Sequence, residues 1–207
     1  MNPNTTPTGT VAGSPATGHG SELPSTWVRC WSHLVPHGGH VLDLASGRGR
    51  HANWFLDRQH PVTAVDRDAL ALAQLTAKAA SANASQLEVL QADLENAPWP
   101  LDGRTFDAVI VTNYLWRPLL ARIVASVAPG GVLIYETFAD GNAAFGRPAR
   151  ADFLLQPDEL LRVCADMHTV AYEQGFLPAP DRVVQRIAAV RLRDNVPAAV
   201  QPLQAPP

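Results

Sequence analysis

This chain has few cysteines, no excess of positive charge and no long apolar run. Its two cysteines in 207 residues lie far apart, without metal-type spacing, which predicts reduced thiols in a reducing compartment such as the cytoplasm. A net charge of −3 gives no overall attraction to nucleic acids. No segment reaches the roughly 18 apolar residues of a membrane-spanning helix, and residues 1–24 lack the features of a secretory signal. We therefore expect a cytoplasmic protein whose partner is a small molecule, without nucleic acid or membrane.

Two segments with little apolar content flank a region of alternating periodicity. Residues 1–24 are rich in Thr, Gly, Pro, Ser and Ala, and residues 195–207 are rich in Pro, so both are predicted to be disordered tails around one domain at 25–194. Apolar strands separated by amphipathic helices predict an α/β fold with a parallel sheet covered on both faces. Strands are expected at 40–44, 62–66, 87–91, 106–111 and 132–137, helices at 25–34, 50–58, 68–80, 118–128 and 157–165, and an antiparallel hairpin at 170–174 and 183–191.

A glycine-containing loop between a strand and a helix is the most informative motif. The apolar run at residue 41 reaches Asp43, breaks at Gly47 and Gly49, and is followed by a helical pattern. A buried strand, a tight turn and a helix start together describe a nucleotide-type cofactor site. A second acid, Asp66, ends the next apolar run about 20 residues later, where an acid that binds ribose hydroxyls is expected.

The same loop also matches the dinucleotide fingerprint, since Gly47, Gly49 and Ala52 have the spacing of its three small residues. Charge distinguishes the two cofactors. A pyrophosphate would meet the carboxylate of Asp43, whereas S-adenosylmethionine brings an ammonium and a sulfonium to that place. Arg48 and Arg50 favour the phosphate-bearing alternative. The acid placement favours the methyl donor, and an NAD(P)-linked oxidoreductase stays open as a second hypothesis.

The chain resembles the class I S-adenosylmethionine-dependent methyltransferases. Val41–Ala52 is similar to motif I of that family, with Ala45 where the family has its first glycine. Gln91–Leu94 resembles the segment that recognises adenine, and Pro129–Gly131 resembles the turn into the fifth strand. The likeness spans residues 25–192 and is greatest to the tellurite-resistance and thiopurine-type small-molecule branch. It implies a Rossmann-like, doubly wound, mostly parallel sheet of seven strands with an antiparallel C-terminal hairpin strand.

The expected cofactor contacts lie at the ends of the first three strands. Asp43 is expected to interact with the methionine ammonium, and Asp66 with both ribose hydroxyls. Arg67 is placed along the adenine edge, while Asp93 and the Leu94 backbone are expected to read the adenine amino group and ring nitrogen. The predicted cofactor-binding residues are Asp43, Ala45, Gly47, Gly49, Asp66, Arg67, Asp93, Leu94 and Asn113.

The segment after the fourth predicted strand is where the family places a substrate-facing motif. Methyltransferases that act on nucleic-acid amino groups have Asn/Asp-Pro-Pro-aromatic there. This chain has Asn113, Tyr114 and Leu115 with no Pro-Pro, which argues against that substrate class. Asn113 is expected to line the pocket, and Tyr114 to pack on the cofactor or on an apolar acceptor.

Three further residues are candidates for catalysis or substrate binding. Glu136 ends the fifth predicted strand, at the edge where open α/β sheets bind ligands, and is a candidate general base. His51 lies in the first turn of the helix after the glycine loop, where a neutral imidazole is favoured and could orient substrate or accept a proton. Arg147 lies in the long loop 138–155, a candidate substrate lid. The candidate catalytic residues are thus Glu136, His51 and Asn113, and the candidate substrate residues are Tyr114 and Arg147.

No metal is expected. His33, His37 and His40 are closely spaced, but Pro36 and the glycines at 38–39 break any shared helical face.

The motifs and the resemblance together give the hypothesis of in-line methyl transfer from S-adenosylmethionine to a small molecule. Its alternative is a regulatory protein that binds the cofactor without turnover.

Overall fold

The computed structural model describes residues 23–79, 84–194 and Leu203, and shows one seven-stranded sheet. The strand order is β3-β2-β1-β4-β5-β7-β6, in which β1 to β5 are parallel and β7 is antiparallel to both neighbours. The predicted fold class is confirmed. The strands are β1 Val41–Leu44, β2 Val62–Asp66, β3 Leu87–Gln91, β4 Phe106–Thr112, β5 Val127–Phe138, β6 His168–Leu177 and β7 Arg182–Val190. The helices of the described part are α1 Thr26–Trp31, α2 Arg50–Leu56, α3 Ala69–Ala79, α4 Leu120–Ala125 and α5 Glu159–Val163.

Most of both predicted tails, 1–22 at one end and 195–202 with 204–207 at the other, lies outside the described residues. Within the described part, no helix has the length and apolar character needed to cross a membrane.

Side chains alternate between the two faces of the sheet along each strand, and helices cover both faces of its central strands. One face packs against α1, α2 and α3 through residues such as Trp27, Phe55 and Leu75. We call it the α1 face. The opposite face packs against α4 and α5, with Ile123 and Leu160 in its core. The α1 face holds Val41, Ala108, Ile110, Val132, Ile134 and Ala188.

The predicted helix at 118–128 is wrong at both ends. Residues Arg117–Leu119 form a single 3₁₀ turn, α4 is limited to Leu120–Ala125, and Val127 already belongs to β5. Pro129 cannot continue a helix, and the Phe106 backbone N–H takes the Ser126 carbonyl as its acceptor. From residue 127 onwards the chain therefore pairs with β4 as a strand and does not continue the helix. The other predicted elements occur, with shifts mostly of one to three residues at their ends.

The long loop after β5 and the turn between β6 and β7 lie at the same sheet edge as the glycine loop, because β6 runs parallel to β5. Residues 139–155 contain two 3₁₀ turns and return to their starting point, where Leu155 N donates to Phe138 O at 3.0 Å. Buried Asn142 fastens this loop by donating to Pro148 O and accepting from Val183 N, both at 3.0 Å. The carboxyl edge of the sheet is thus framed by three structured connections.

Candidate active site

The glycine loop between β1 and α2 has left-handed backbone at three alternate positions. Ala45, Gly47 and Gly49 have φ values of +53°, +54° and +71°. Gly49 has a second reason to lack a side chain, because a Cβ there would meet Leu75 Cδ1 of α3 at 2.5 Å. The loop therefore packs directly on α3 and keeps its backbone close to the sheet edge.

Asp66, at the end of β2, holds this loop in place. Its Oδ2 accepts from Gly47 N at 2.7 Å and its Oδ1 accepts from Asp68 N at 2.9 Å. A carboxylate has about four acceptor positions, so the two oxygens keep capacity for a ligand. Asp66 lines an open pocket of about 130 Å³ together with Ala45, Arg67, Ala92, Asp93, Leu94, Glu95 and Tyr114.

The pocket brings together six of the residues predicted from the sequence: Ala45, Asp66, Arg67, Asp93, Leu94 and Tyr114. Sites for drug-sized ligands occupy about 300–1,000 Å³, so this pocket suits one part of a ligand, such as a nucleoside. Its three carboxylates, on Asp66, Asp93 and Glu95, suit hydroxyl and amino donors and oppose a pyrophosphate.

Asp93 begins a tight turn in which its carboxylate already has partners. Oδ1 accepts from Glu95 N at 3.0 Å and Asn96 N at 3.1 Å, and Oδ2 accepts from Asn96 Nδ2 at 3.0 Å. The Asn96 side chain contributes most to lowering the pKa of Asp93. The turn therefore keeps the Asp93 carboxylate ionised at this wall of the pocket. It also buries the Leu94 side chain.

Tyr114 contributes a polar atom that lacks a protein partner. Its hydroxyl is buried, and no acceptor or donor for it occurs among the described residues. Its carbonyl accepts from Tyr135 Oη at 2.8 Å, which fixes the backbone of this wall. Burial raises the pKa of Tyr114, and the carboxylates of Glu95 and Asp93 raise it further. A neutral hydroxyl at the pocket is a donor available to a ligand.

Asp43 lies behind the glycine loop and is almost fully buried, with 1% of its surface exposed. Its Oδ2 accepts from Ala52 N at 2.9 Å, in the first turn of α2. Burial raises the pKa of Asp43 to about 7, against the opposing effects of the Ala52 hydrogen bond and the Arg50 charge. A buried carboxylate without a cationic partner at hydrogen-bond distance suits a cationic ligand group.

His51 joins this acid to two other elements. Its Nε2 accepts from Ser25 N at 3.2 Å, so Nδ1 carries the ring proton. Nδ1 lies 3.4 Å from Thr112 Oγ1 and 4.0 Å from Asp43 Oδ1. Burial and the Arg50 charge lower the pKa of His51 to about 3. The ring is therefore neutral, and its one acceptor nitrogen is already used by the backbone that begins α1.

Glu136 lies in a row of polar side chains that crosses four strands. Thr112 pairs with Glu136, Glu136 with Arg186, and Arg186 with Glu173. Residues two apart in a strand share a face of the sheet. Thr112, Glu136 and Arg186 are each two residues from a residue of the α1 face, namely Ile110, Ile134 and Ala188, so the row lies on that face. Arg186 Nη1 is 3.3 Å from Glu136 Oε2, Arg186 Nε is 2.8 Å from Glu173 Oε2, and the guanidinium lies over the Trp27 ring at 4.7 Å. Glu136, the buried candidate base, therefore forms an ion pair with Arg186.

The other predicted site residues do not line the pocket. Asn113 is exposed at the end of β4, with φ at +55° and its N–H donating to Glu136 O at 2.9 Å. Arg147 is exposed in the loop after β5. Within the described ranges, no group of three or more His, Cys, Asp or Glu side chains could hold a metal ion.

Arg186 was not predicted from the sequence, and Arg50 was weighed there as a phosphate ligand instead of a neighbour of Glu136. Arg50 is partly buried at the start of α2, where its charge interacts with Glu136, Asp43 and Arg182. No local motif marks Arg186, because its partners lie 50 and 13 residues away along the chain. An arginine directly after a glycine loop that adjoins an acidic strand end is the pattern that could have identified Arg50.

Comparison with known proteins agrees with this geometry. Residues 41–131 match the family model described as a methyltransferase domain. No curated protein sequence matches significantly. Among solved structures, TehB from Haemophilus influenzae is 18% identical with a TM-score of 0.63, over 80% of this chain and 61% of that chain. The chain therefore spans about three-fifths of the length of that protein.

Two further solved structures contain S-adenosylhomocysteine. The glycopeptide N-methyltransferase MtfA is 22% identical with a TM-score of 0.57, over 84% of this chain and 94% of that chain. A Burkholderia thailandensis 1,6-didemethyltoxoflavin-N1-methyltransferase is 21% identical with a TM-score of 0.59, over 81% and 76% of the two chains. The predicted class I fold is confirmed, and the match over residues 41–131 agrees with the predicted resemblance to methyltransferases.

Proposed function

We propose that the chain transfers the methyl group of S-adenosylmethionine to a small molecule, in line with its class I fold and the match of residues 41–131 to a methyltransferase domain. The single observation that carries the proposal is the placement of Asp43 and Asp66 on either side of one glycine loop. Asp66 adjoins the nucleoside-sized pocket, and Asp43 offers a buried carboxylate with no bonded cation. Structures of the similar protein MtfA contain S-adenosylhomocysteine or sinefungin, which supports the same cofactor here.

The residues fit the adenosine and methionine parts of this cofactor. Asp66 would accept from the ribose hydroxyls, Asp93 and Leu94 would face the adenine, and Asp43 would face the ammonium. Arg67 and Tyr114 would line the adenosine pocket, with the Tyr114 hydroxyl as a free donor. A dinucleotide fits less well, since its pyrophosphate would enter a region that contains the carboxylates of Asp43 and Asp66.

The acceptor would lie beside the row formed by Thr112, Glu136, Arg186 and Glu173, adjacent to Asn113. When bound, the cofactor supplies a methyl group on a positively charged sulfur, which keeps the electron pair of its carbon–sulfur bond as the acceptor takes the methyl. In-line alignment of the reacting groups can supply about 7–11 kcal/mol. Glu136 would orient the acceptor and receive its proton, directly or through water, while Arg186 fixes the carboxylate. His51 would act as a positioning residue for Asp43 and Thr112.

The test is calorimetric titration with S-adenosylhomocysteine, for which we expect a micromolar dissociation constant, about −8 kcal/mol. Asp66→Ala is expected to weaken binding by about 2–4 kcal/mol through lost charged hydrogen bonds. Asp66→Asn keeps an acceptor for Gly47 N and is expected to lose less. Asp102→Ala removes an exposed acid of the same charge and is expected to change nothing. Binding of NADH with no response to S-adenosylhomocysteine would refute the proposal, and cofactor binding without methylated product would favour a regulatory protein.

A further inference from the structure

The part of the carboxyl edge beyond the cofactor pocket is rich in arginine, in contrast to the acidic pocket itself. Arg186, Arg182 and Arg50 all lie at or over this edge on the α1 face. For Arg182 the face follows from strand alternation, since it is four residues before Arg186 in β7. For Arg50 it follows from His51, its neighbour in α2, which contacts Thr112 beside Glu136.

Arg186 is fully committed to protein partners. Two carboxylates, Glu136 and Glu173, and the Trp27 ring surround its guanidinium. Only 14% of its side chain is exposed. It therefore stabilises the row and has little capacity left for a ligand.

Arg50 is in the opposite situation. It is partly buried, yet its side chain makes no hydrogen bond or ion pair with any residue in the described ranges. None of its nitrogen atoms is among the buried polar atoms without partners, so the guanidinium has access to solvent. An arginine has five donors in a planar fork, and here that fork remains available at the acceptor side.

Arg182 adds a second positive charge nearby. It begins β7, and the only hydrogen bond of its side chain in the described part is a long one of 3.3 Å from Nη1 to Pro180 O. Burial lowers the pKa of Arg50, the charges of Glu136 and Asp43 raise it, and the charge of Arg182 lowers it again. The two guanidinium groups repel each other, and an anion bound by both would relieve that repulsion.

We propose that the methyl acceptor is an organic carboxylate, whose carboxylate group is bound by Arg50 with help from Arg182. This inference rests on the proposed methyltransferase function and specifies its substrate class. The planar fork of Arg50 matches a carboxylate with two parallel hydrogen bonds. The anchor would lie beside Glu136, so the nucleophilic atom of the acceptor can face the methyl group while its carboxylate stays on the arginines.

The test begins with protein saturated with S-adenosylhomocysteine, whose binding is measured first by calorimetry. Benzoate, salicylate and malonate are then titrated, each compared with its amide, and affinity is followed by calorimetry and thermal shift. We expect at least one carboxylate to bind tenfold or more tightly than its amide. We expect Arg50→Ala to weaken that carboxylate tenfold or more, and Arg182→Ala to weaken it about threefold to tenfold.

Arg48→Ala is the matched control, because it removes an exposed arginine from the same glycine loop and is expected to leave carboxylate affinity unchanged. Arg50→Lys keeps the charge but loses the fork, and is expected to restore only part of the affinity. Failure to bind S-adenosylhomocysteine would refute the proposed function itself. Normal cofactor binding with no carboxylate preferred over its amide, or with a preference that survives Arg50→Ala, would overturn only this inference.

Discussion

The proposed donor half and the proposed acceptor half of the carboxyl edge differ in how their charged side chains are held. In the proposed donor half, Asp66 accepts a hydrogen bond from Gly47 N of the glycine loop and Asp93 accepts one from Glu95 N of its own turn, around an open pocket. In the proposed acceptor half, Glu136 and Arg186 form a buried ion pair on a continuous sheet, and the Arg50 side chain makes no hydrogen bond or ion pair with any residue that the structure describes. Backbone-held acids suit a ligand of fixed chemistry, whereas side chains on adjacent strands can be exchanged without disturbing a loop. Under the proposed function, backbone contacts would hold the donor site and side-chain contacts would hold the acceptor site.

Removal of Arg186 is expected to have the largest effect, because it would leave Glu136 buried without its cation. For Arg186→Ala we expect a loss of about 3–5 kcal/mol in the free energy of unfolding, measured by urea denaturation. Arg122→Ala breaks an exposed ion pair with Asp102 and is expected to lose less than about 1 kcal/mol. Equal losses in the two variants would show that the acceptor row is no more sensitive than the surface.

In the glycine loop, we expect the free energy of unfolding to depend on added side-chain volume, whereas in the acceptor half it depends on charge. Gly49→Ala combines a left-handed backbone with a contact of 2.5 Å to the fully buried Leu75, so we expect a loss of about 2–5 kcal/mol. Gly47→Ala has similar backbone geometry and no atom within 4 Å of the added Cβ, so about 1–2 kcal/mol is expected. Thermal and urea unfolding of both variants measure the difference. A larger loss for Gly47→Ala would contradict the packing argument.

Asp43 is expected to oppose folding at neutral pH. Burial raises its pKa from 3.8 to about 7, so its stabilising contribution is complete below the unfolded pKa and is lost as pH rises through about 7. We expect Asp43→Asn to raise the free energy of unfolding by about 2–4 kcal/mol near pH 7.5, and to weaken S-adenosylhomocysteine tenfold or more. Near pH 4 the stability gain should almost vanish. A variant that is less stable than the original chain at both pH values would show that the ionised acid stabilises the fold.

Most of the fold could be predicted from the sequence, because its apolar periodicity is local. The strands at 62–66 and 87–91 were predicted to the residue. The helix at 118–128 was not, since the start of β5 depends on pairing with Phe106, about 20 residues away. Such pairing has no signature within the segment itself.

The two halves of the site also differ in how far the sequence could predict them. The donor pocket contains Asp66 and Asp93, which could be placed because each follows a recognisable strand and adjacent parallel strands end together. The pairing of Glu136 with Arg186 could not be predicted, since it follows from the register of β5 against β7. Glu136 was identified from its position at the end of a strand, but its ion pair with Arg186, which holds the carboxylate in place, was not predicted.

The hydrogen bond from Ser25 N to His51 Nε2 joins the start of α1 to the helix that follows the glycine loop. Ser25 caps α1 by accepting from Trp27 N and Val28 N, and the Arg186 guanidinium lies over the Trp27 ring. Asp43 and Arg186 are therefore connected by contacts that run through one imidazole ring and one helix cap, above the sheet and outside its strands.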